Sequence, residues 1–181
     1  MAGVQWMCQV FYENLTCSAS HLPKANFAWL VFNGKENVII EIRKAAAEDF
    51  DIVFDFIEKL WTYNTYDREE IRKVYMDVID DERSFAFLLW DEGICRGMCH
   101  GDYFNTFWMS GLTCYVSSLI TREEDRGKGY GVALLDHAKE LAKQRGCKAI
   151  TLDSGLPRTG AHGFYEHYGF EKSCYGFELT I

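Results

Sequence analysis

The chain has 181 residues, enough for one domain whose core needs no disulfide or metal staple. Hydrophobic residues make up 48% and charged residues 25%, the proportions of an ordinary soluble fold, and no apolar run reaches the length of a membrane span. Its 19 basic and 27 acidic residues give a net charge of −8, which argues against nucleic acid and membrane partners and suits a cationic one, although a charge of this size also serves solubility alone.

Seven cysteines (Cys8, Cys17, Cys95, Cys99, Cys114, Cys147 and Cys174) are odd in number and scattered, with several inside apolar runs. They read as free thiols of a reduced, cytoplasmic protein. The first residues lack the basic start and unbroken apolar core of a signal peptide. Residues 1–38 form an aromatic-rich extension with no clear period. Within it, 27–32 reads as a strand, Asn33-Gly34 as a turn, and a hairpin into Val38–Ile42 is allowed. An extra edge strand, a dimer contact and a poorly ordered extension all remain open for it.

Val38 to Arg43 is β-branched and bounded by polar residues, a strand. From Ala47 to Tyr63, Phe50, Val53, Phe54, Ile57, Leu60 and Trp61 recur at helical spacing. A second helix covers Asp67 to Asp80, with Ile71, Val74, Tyr75 and Val78 inward. Its acidic collar is either a solvated face or the rim of a substrate groove. Phe85–Trp90 and Ile94–Tyr103 read as two strands around an Asp91-Glu92-Gly93 turn, and Gly97 and Gly101 mark a bulge in the second. Cys95, Cys99 and His100 cluster there, but neighbours on a strand point to opposite faces and no second ligand pair exists, so no metal is expected. Phe104 to Gly111 is an aromatic loop that either walls a pocket or caps the core.

Leu112 to Thr121 is the central strand. A helix over Gly129–Arg145 buries Leu134, Leu135, Ala138, Leu141 and Ala142 and stops at Gly146. Cys147–Asp153 is the next strand, Pro157 opens the last helix, Gly169 ends it, and Phe170–Leu179 supplies a final strand or strands.

Between the central strand and its helix lies Arg126-Gly127-Lys128-Gly129-Tyr130-Gly131. Glycines permit a tight turn and close ligand approach. A helix start offers unpaired N–H groups and the positive end of the macrodipole, an anion site. A P-loop would need Ser or Thr after the lysine, where Gly129 stands. A dinucleotide fingerprint would need a third glycine where Val132 stands, and too little chain follows for a Rossmann domain.

Arg126-x-x-Gly129-x-Gly131 resembles the acetyl-CoA signature of the GNAT superfamily of N-acetyltransferases. Downstream, Ala161-x-x-Phe164-Tyr165 and Gly169-Phe170 look like the last helix and strand of that fold. The resemblance covers roughly residues 39–181, the expected N-acetyltransferase domain. It implies a mixed, mostly antiparallel twisted sheet flanked by helices, with central strands splaying after Thr121. Its C-terminal half is similar to the small-amine branch, which includes aminoalkylphosphonate and polyamine-type enzymes.

The resemblance implies transfer of an acetyl group from acetyl-CoA, as co-substrate, to a primary amine of a small molecule by direct attack. The donor pyrophosphate would rest on the amides of Gly127, Lys128, Gly129, Tyr130 and Gly131 beside Arg126. The pantetheine arm would pair with Leu119, Ile120 and Thr121, where a main-chain N–H would also meet the thioester oxygen. Arg158, Ala161 and Phe164 complete the expected donor site, with Arg158 standing where many relatives carry Asn. Tyr165 is the candidate acid for the leaving thiolate. Where many relatives place an acid on the central strand, this chain has Ser117 and Ser118. The amine's proton would then pass through water to Glu123, Asp153 or His100, or the amine arrives neutral. A CoA-binding sensor without catalysis and a protein lysine or N-terminal acetyltransferase are the alternatives, and a homodimer is allowed.

Overall fold

Burial of two apolar faces by one sheet explains the architecture. The computed structural model describes residues 27–32 and 37–181. In chain order these form β1 (Phe27–Phe32), β2 (Asn37–Lys44), α1 (Phe50–Leu60), α2 (Arg68–Asp80), β3 (Ser84–Asp91), β4 (Ile94–Thr106), β5 (Gly111–Thr121), α3 (Tyr130–Gln144), β6 (Ala149–Leu152) and α4 (Thr159–Tyr168). The six strands lie in sequence order within one sheet. Neighbours from β1 to β5 are antiparallel, while β5 and β6 run parallel through the α3 crossover. The mixed, mostly antiparallel sheet flanked by helices is therefore the observed fold.

Alternation along the strands divides the core. Ile40, Ile42, Phe85, Phe87, Leu89, Cys99, Cys114 and Val116 face the α3 stripe of Ala133, Leu134, Ala138 and Ala142. Ala86, Leu88 and Met98 face α1 and α2, which contribute Phe50, Val53, Phe54, Phe56, Tyr75 and Ile79. The predicted inward set of α2 is slightly rotated. Val74 is 57% exposed and Ile79 is buried in its place, because Tyr75 and Ile79, one turn apart, define the stripe.

Two local carboxylates start the helices. Asp67 caps α2, its Oδ1 accepting from Glu69 N and Glu70 N at 2.9 Å each. Asp49 is buried in the short 3-10 turn Ala47–Asp49 that leads into α1. It accepts Arg43 Nη1 at 2.6 Å, Arg43 Nη2 at 2.7 Å and Ala46 N at 2.8 Å. Burial alone would raise the Asp49 carboxyl, but Arg43 and the Ala46 N–H outweigh it and hold it low.

The pairing of β1 with β2 that the sequence allowed is present, and among the described residues 27–32 form an edge strand. The predicted Asn33-Gly34 turn and the rest of the extension lie outside the described residues. The β3–β4 turn runs through Glu92 and Gly93, both at positive φ, the two-residue geometry that matches strand twist.

One prediction fails. No strand forms over Phe170–Leu179, and residues 171–181 are exposed. The stretch has strand-like alternation but does not lie along β6, which has only four residues and, among the described residues, pairs on its β5 side alone.

Two glycines of β4 lie tight against β5. The register of the two strands slips between His100 and Gly101, so that Ser118 faces His100, Val116 faces Gly101 and Ser117 is the extra residue of a bulge. A Cβ on Gly101 would lie 2.2 Å from Tyr115 O, and one on Gly97 would lie 2.6 Å from Ile120 O. Both obstacles are backbone and cannot swing aside. Gly101→Ala is therefore expected to lower the thermal midpoint by the equivalent of about 3 kcal/mol or more. Gly160→Ala, which meets no atom within 4 Å on a helix, is expected to leave stability equal or slightly higher, and paired thermal melts check both.

Candidate active site

Past Val116 the sheet opens. The last β5–β6 pair is Val116 with Leu152, while β5 continues beside β4 to Thr121. The open edge of β5 has a definite polarity. Arg122 N donates to Arg96 O across to β4 at 2.8 Å. In an antiparallel ladder, alternate residues turn their N–H and C=O outward. Ile120 therefore faces β4 with its backbone, and Leu119 and Thr121 offer theirs to the open edge. The side chains of Leu119 and Ile120 pack against the two opposite cores.

The open edge leads through the 3-10 turn Glu123–Asp125 into the glycine loop. Gly127 has φ +82° and Gly129 φ +89°, both left-handed, with Gly129 the N-cap of α3. Among the described residues, no acceptor lies on the N–H groups of Gly127, Gly129, Tyr130, Gly131 or Val132. Lys128 N reaches Asp125 O in a long turn bond of 3.3 Å. Five backbone donors thus converge at the positive end of a 15-residue helix. Gly131 also governs packing. A Cβ there would sit 3.2 Å from Phe164 Cζ, so the glycine lets α4 close on α3. Ala161 lies one turn before Phe164, its N–H donating to Arg158 O at 3.0 Å.

The side chains of the loop are mostly spent on holding it. Asp125 is buried at 2% exposure. Its Oδ1 accepts Lys128 Nζ at 2.6 Å and its Oδ2 accepts Arg96 Nη1 of β4 at 3.3 Å. The Lys128 hydrogen bond, with Arg96 behind it, holds the Asp125 carboxyl below the usual carboxylate range. Arg126 is exposed, 3.2 Å from Glu123. Tyr130 turns its ring into the core and donates its hydroxyl to the buried Asp91, so only its amide faces the turn.

Arg158, expected at the donor site, donates its Nη2 to Leu60 O at the end of α1. That carbonyl is at the negative end of α1, where a guanidinium is favoured. Arg158 therefore ties the end of α1 to the start of α4.

Tyr165 is half-buried on α4, its ring 5.3 Å from Phe164 and 5.8 Å from Phe170. Burial, with a smaller push from nearby Cys99, raises its pKa to about 12, so the phenol stays protonated at neutral pH.

The sheet face shared with α1 and α2 carries a polar group beyond those helices. His100, two residues after Met98 of that core, lies there, and Ser117 Oγ is 2.7 Å from its Nδ1. Burial lowers the His100 pKa and Asp102 partly offsets this, so the ring is neutral at pH 7. His100 Nε2 is buried without a partner among the described residues. Tyr115 donates its hydroxyl to Asp153 Oδ2 at 2.9 Å, spanning β5 and the residue after β6. Glu123 is instead exposed beside Arg126.

Sequence reasoning missed Asp125, Asp91 and the Ser117–His100 contact. Asp125, three residues before Lys128, carried a detectable local signal, an i,i+3 ion pair ahead of a glycine turn. The other two pairings join residues 39 and 17 positions apart and had none.

Comparison with known proteins points to one family. The model of the acetyltransferase (GNAT) family matches residues 44–170. An uncharacterized N-acetyltransferase of Bacillus subtilis, YhdJ, is 33% identical over 104 residues, 57% of this chain and 72% of that protein. The aminoalkylphosphonate N-acetyltransferase of Salmonella typhimurium is 28% identical over 149 residues, 79% of this chain and 92% of the relative. In structure, the aminoglycoside N-acetyltransferase AAC(6')-Iy, solved with CoA, superposes with a TM-score of 0.70 over 81% of this chain and 97% of its own, at 11% identity.

The Asp125 clamp gives a stability test. Asp125→Asn leaves the mostly buried Arg96 without its counter-charge and is expected to cost about 3 kcal/mol. Glu123→Gln, at an exposed pair, is expected to change stability by less than about 0.5 kcal/mol. Because Asp125 titrates lower folded than unfolded, its contribution is complete above the unfolded value of about 3.9. It is lost as pH falls through the lower folded pKa. Denaturant titrations of parent and Asp125→Asn should therefore converge at strongly acid pH.

Proposed function

Because the chain belongs to the acetyltransferase (GNAT) family, we propose that it moves an acetyl group from acetyl-CoA to the primary amine of a small molecule. The observation that carries this reading is the run of amides at 127 and 129–132 that are unpaired among the described residues, continuous with the open β5 edge at Leu119 and Thr121. A diphosphate fits convergent N–H donors at a helix start, and an amide-bearing arm fits an exposed strand edge. CoA presents these two groups in that order. The CoA-bound aminoglycoside enzyme of like fold supports the same donor.

The chemistry follows from the positions along the edge. The amine attacks the thioester carbonyl carbon directly, with no acyl-enzyme. The Leu119 N–H, turned to the open edge, donates to the oxygen as negative charge develops there. The C–S bond breaks and the sulfur takes a proton from the Tyr165 phenol. With a pKa near 12, that phenol donates to a thiolate uphill and acts mainly by hydrogen bonding as charge forms. The amine's proton passes through the Ser117 hydroxyl to His100 Nδ1, a neutral acceptor 2.7 Å away. Arg126 and Lys128 add positive charge at the diphosphate, Lys128 with the part of its ammonium left exposed by Asp125.

A cationic acceptor is favoured by the net charge of −8 and by the Asp153 carboxylate at the open end of the sheet, whose described hydrogen bond is to a neutral phenol. The Salmonella relative acts on an aminoalkylphosphonate and the structural neighbour on aminoglycosides, both small amines.

Acetyl-CoA with a panel of polyamines, aminoalkylphosphonates, aminoglycosides and amino acids, read by free thiol, tests the reading. Turnover on at least one amine is expected, and tight CoA binding with no thiol release above buffer for any amine would point to a sensor instead. Tyr165→Phe is expected to lower kcat about 10²-fold while CoA affinity stays within about twofold. His100→Asn and Ser117→Ala are each expected to lower kcat/KM by about 10²-fold at pH 7 and to recover most of it as rising pH deprotonates the amine in solution. A loss independent of pH would remove the pair from proton transfer.

A further inference from the structure

The sheet face that carries His100 and Ser117 continues past them. β3 pairs with this stretch of β4 without a break, Ala86 with His100 and Ser84 with Asp102, so Asp102 turns to the same face as His100. Tyr115 of β5 is its direct cross-strand partner. Phe104 follows two residues on along β4, its ring 6.3 Å from that of Tyr115 and edge to face. Asp102 and Tyr115 are half-buried, Phe104 is exposed, and none of the three belongs to the core under α1 and α2. The row is therefore open to a ligand.

Among the described residues no ion pair reaches Asp102. Its Oδ1 accepts Ser84 Oγ at 2.6 Å, a neutral hydroxyl. Arg83, the residue before Ser84, spends its guanidinium on Asp81, with Nη2 3.1 Å from Oδ2 and Nε 3.3 Å from Oδ1. Tyr115 turns its hydroxyl away to Asp153, which leaves its ring beside Asp102. A carboxylate with a free oxygen next to two aromatic rings is the setting that holds an ammonium, through a charge-assisted hydrogen bond on one side and ring faces on the other.

We propose that Asp102 selects the acceptor by holding the second ammonium of an aliphatic diamine whose first nitrogen sits at Ser117 and His100. This role rests on the acetyl transfer proposed above. The spacing sets the length of the diamine. Two residues along a strand, from His100 to Asp102, advance about 6.7 Å. An extended chain advances about 1.25 Å per bond, so the nitrogens of a four-carbon diamine lie about 6.3 Å apart and those of a five-carbon one about 7.5 Å. A three-carbon diamine, at about 5 Å, stops short of the carboxylate. The methylenes lie along the Tyr115 ring. The first nitrogen loses a proton and takes the acetyl group, while the second stays protonated throughout. A monoamine of equal length displaces water from Asp102 and returns no charge to it, so it binds at a cost.

Initial rates with acetyl-CoA and linear diamines of three to six carbons, each beside the monoamine of equal carbon count, are the test. The diamine is expected to exceed its monoamine in kcat/KM by about tenfold or more at four or five carbons. At three carbons the ratio is expected near two, the value that two equivalent nitrogens give. Asp102→Asn is expected to bring the four-carbon ratio down to about two and to flatten the length profile. Because each ratio is read within one protein, a general loss of activity does not move it. If Asp102→Asn fails to fold, judged by thermal melting and CoA binding, the length profile of the parent decides alone. A profile without a maximum at four or five carbons, or a maximum that Asp102→Asn leaves in place, would overturn the role of Asp102 and leave acetyl transfer standing. Turnover of other amines with none of these diamines acetylated would do the same. No thiol release with any amine would overturn both.

Discussion

The carboxylate of Asp125 is the constraint on which the loop depends. It is taken out of water between Arg96 and Lys128, and a buried charge is tolerated only when paired. One cation belongs to β4 and the other to the glycine turn, so satisfying the acid fixes the turn against the sheet. Tyr130 adds a second tie, donating to the buried Asp91 at the end of β3. With both ties made by side chains, the backbone of the turn is left with amides that bond nothing among the described residues. Preorganised donors at a helix start need no rearrangement to meet an anion.

A second constraint shapes the strand that leads to the turn. β4 and β5 lie so close at Gly97 and Gly101 that a single methyl at either would strike backbone. The bulge beside Gly101 inserts Ser117 and brings its hydroxyl to His100. The same strand, two residues on, turns Leu119 to the edge that β6 leaves open. Close packing on one side of β5 and missing pairing on the other thus put the Ser117 hydroxyl, against His100 of β4, and the outward-turned Leu119 N–H two residues apart on one strand. Arg158 fastens the end of α1 to the start of α4.

What could be read in advance followed from local rules. The α3 stripe of Leu134, Leu135, Ala138 and Ala142 was legible because helical period and burial coincide. The β3–β4 pair and its Glu92-Gly93 turn were legible from strand pattern and turn chemistry. Val74 was misassigned because a helix of this composition offers two overlapping stripes, and only the neighbouring Phe50 ring, 5.6 Å from Tyr75, selects one. The final strand failed for a related reason: alternation gives a segment's preference for pairing, not its docking along an edge.

The sequence by itself determined the order of elements, the glycine turn at 126–131 and its family, because period, caps and positive-φ positions act within a few residues. Only the tertiary structure decided that Asp125 and Asp91 hold the turn, that Ser117 meets His100, that Arg158 binds α1 and that residues 171–181 do not pair with the free edge of β6. Those outcomes depend on contacts between residues far apart in the chain, and on which polar groups must be satisfied once water is excluded.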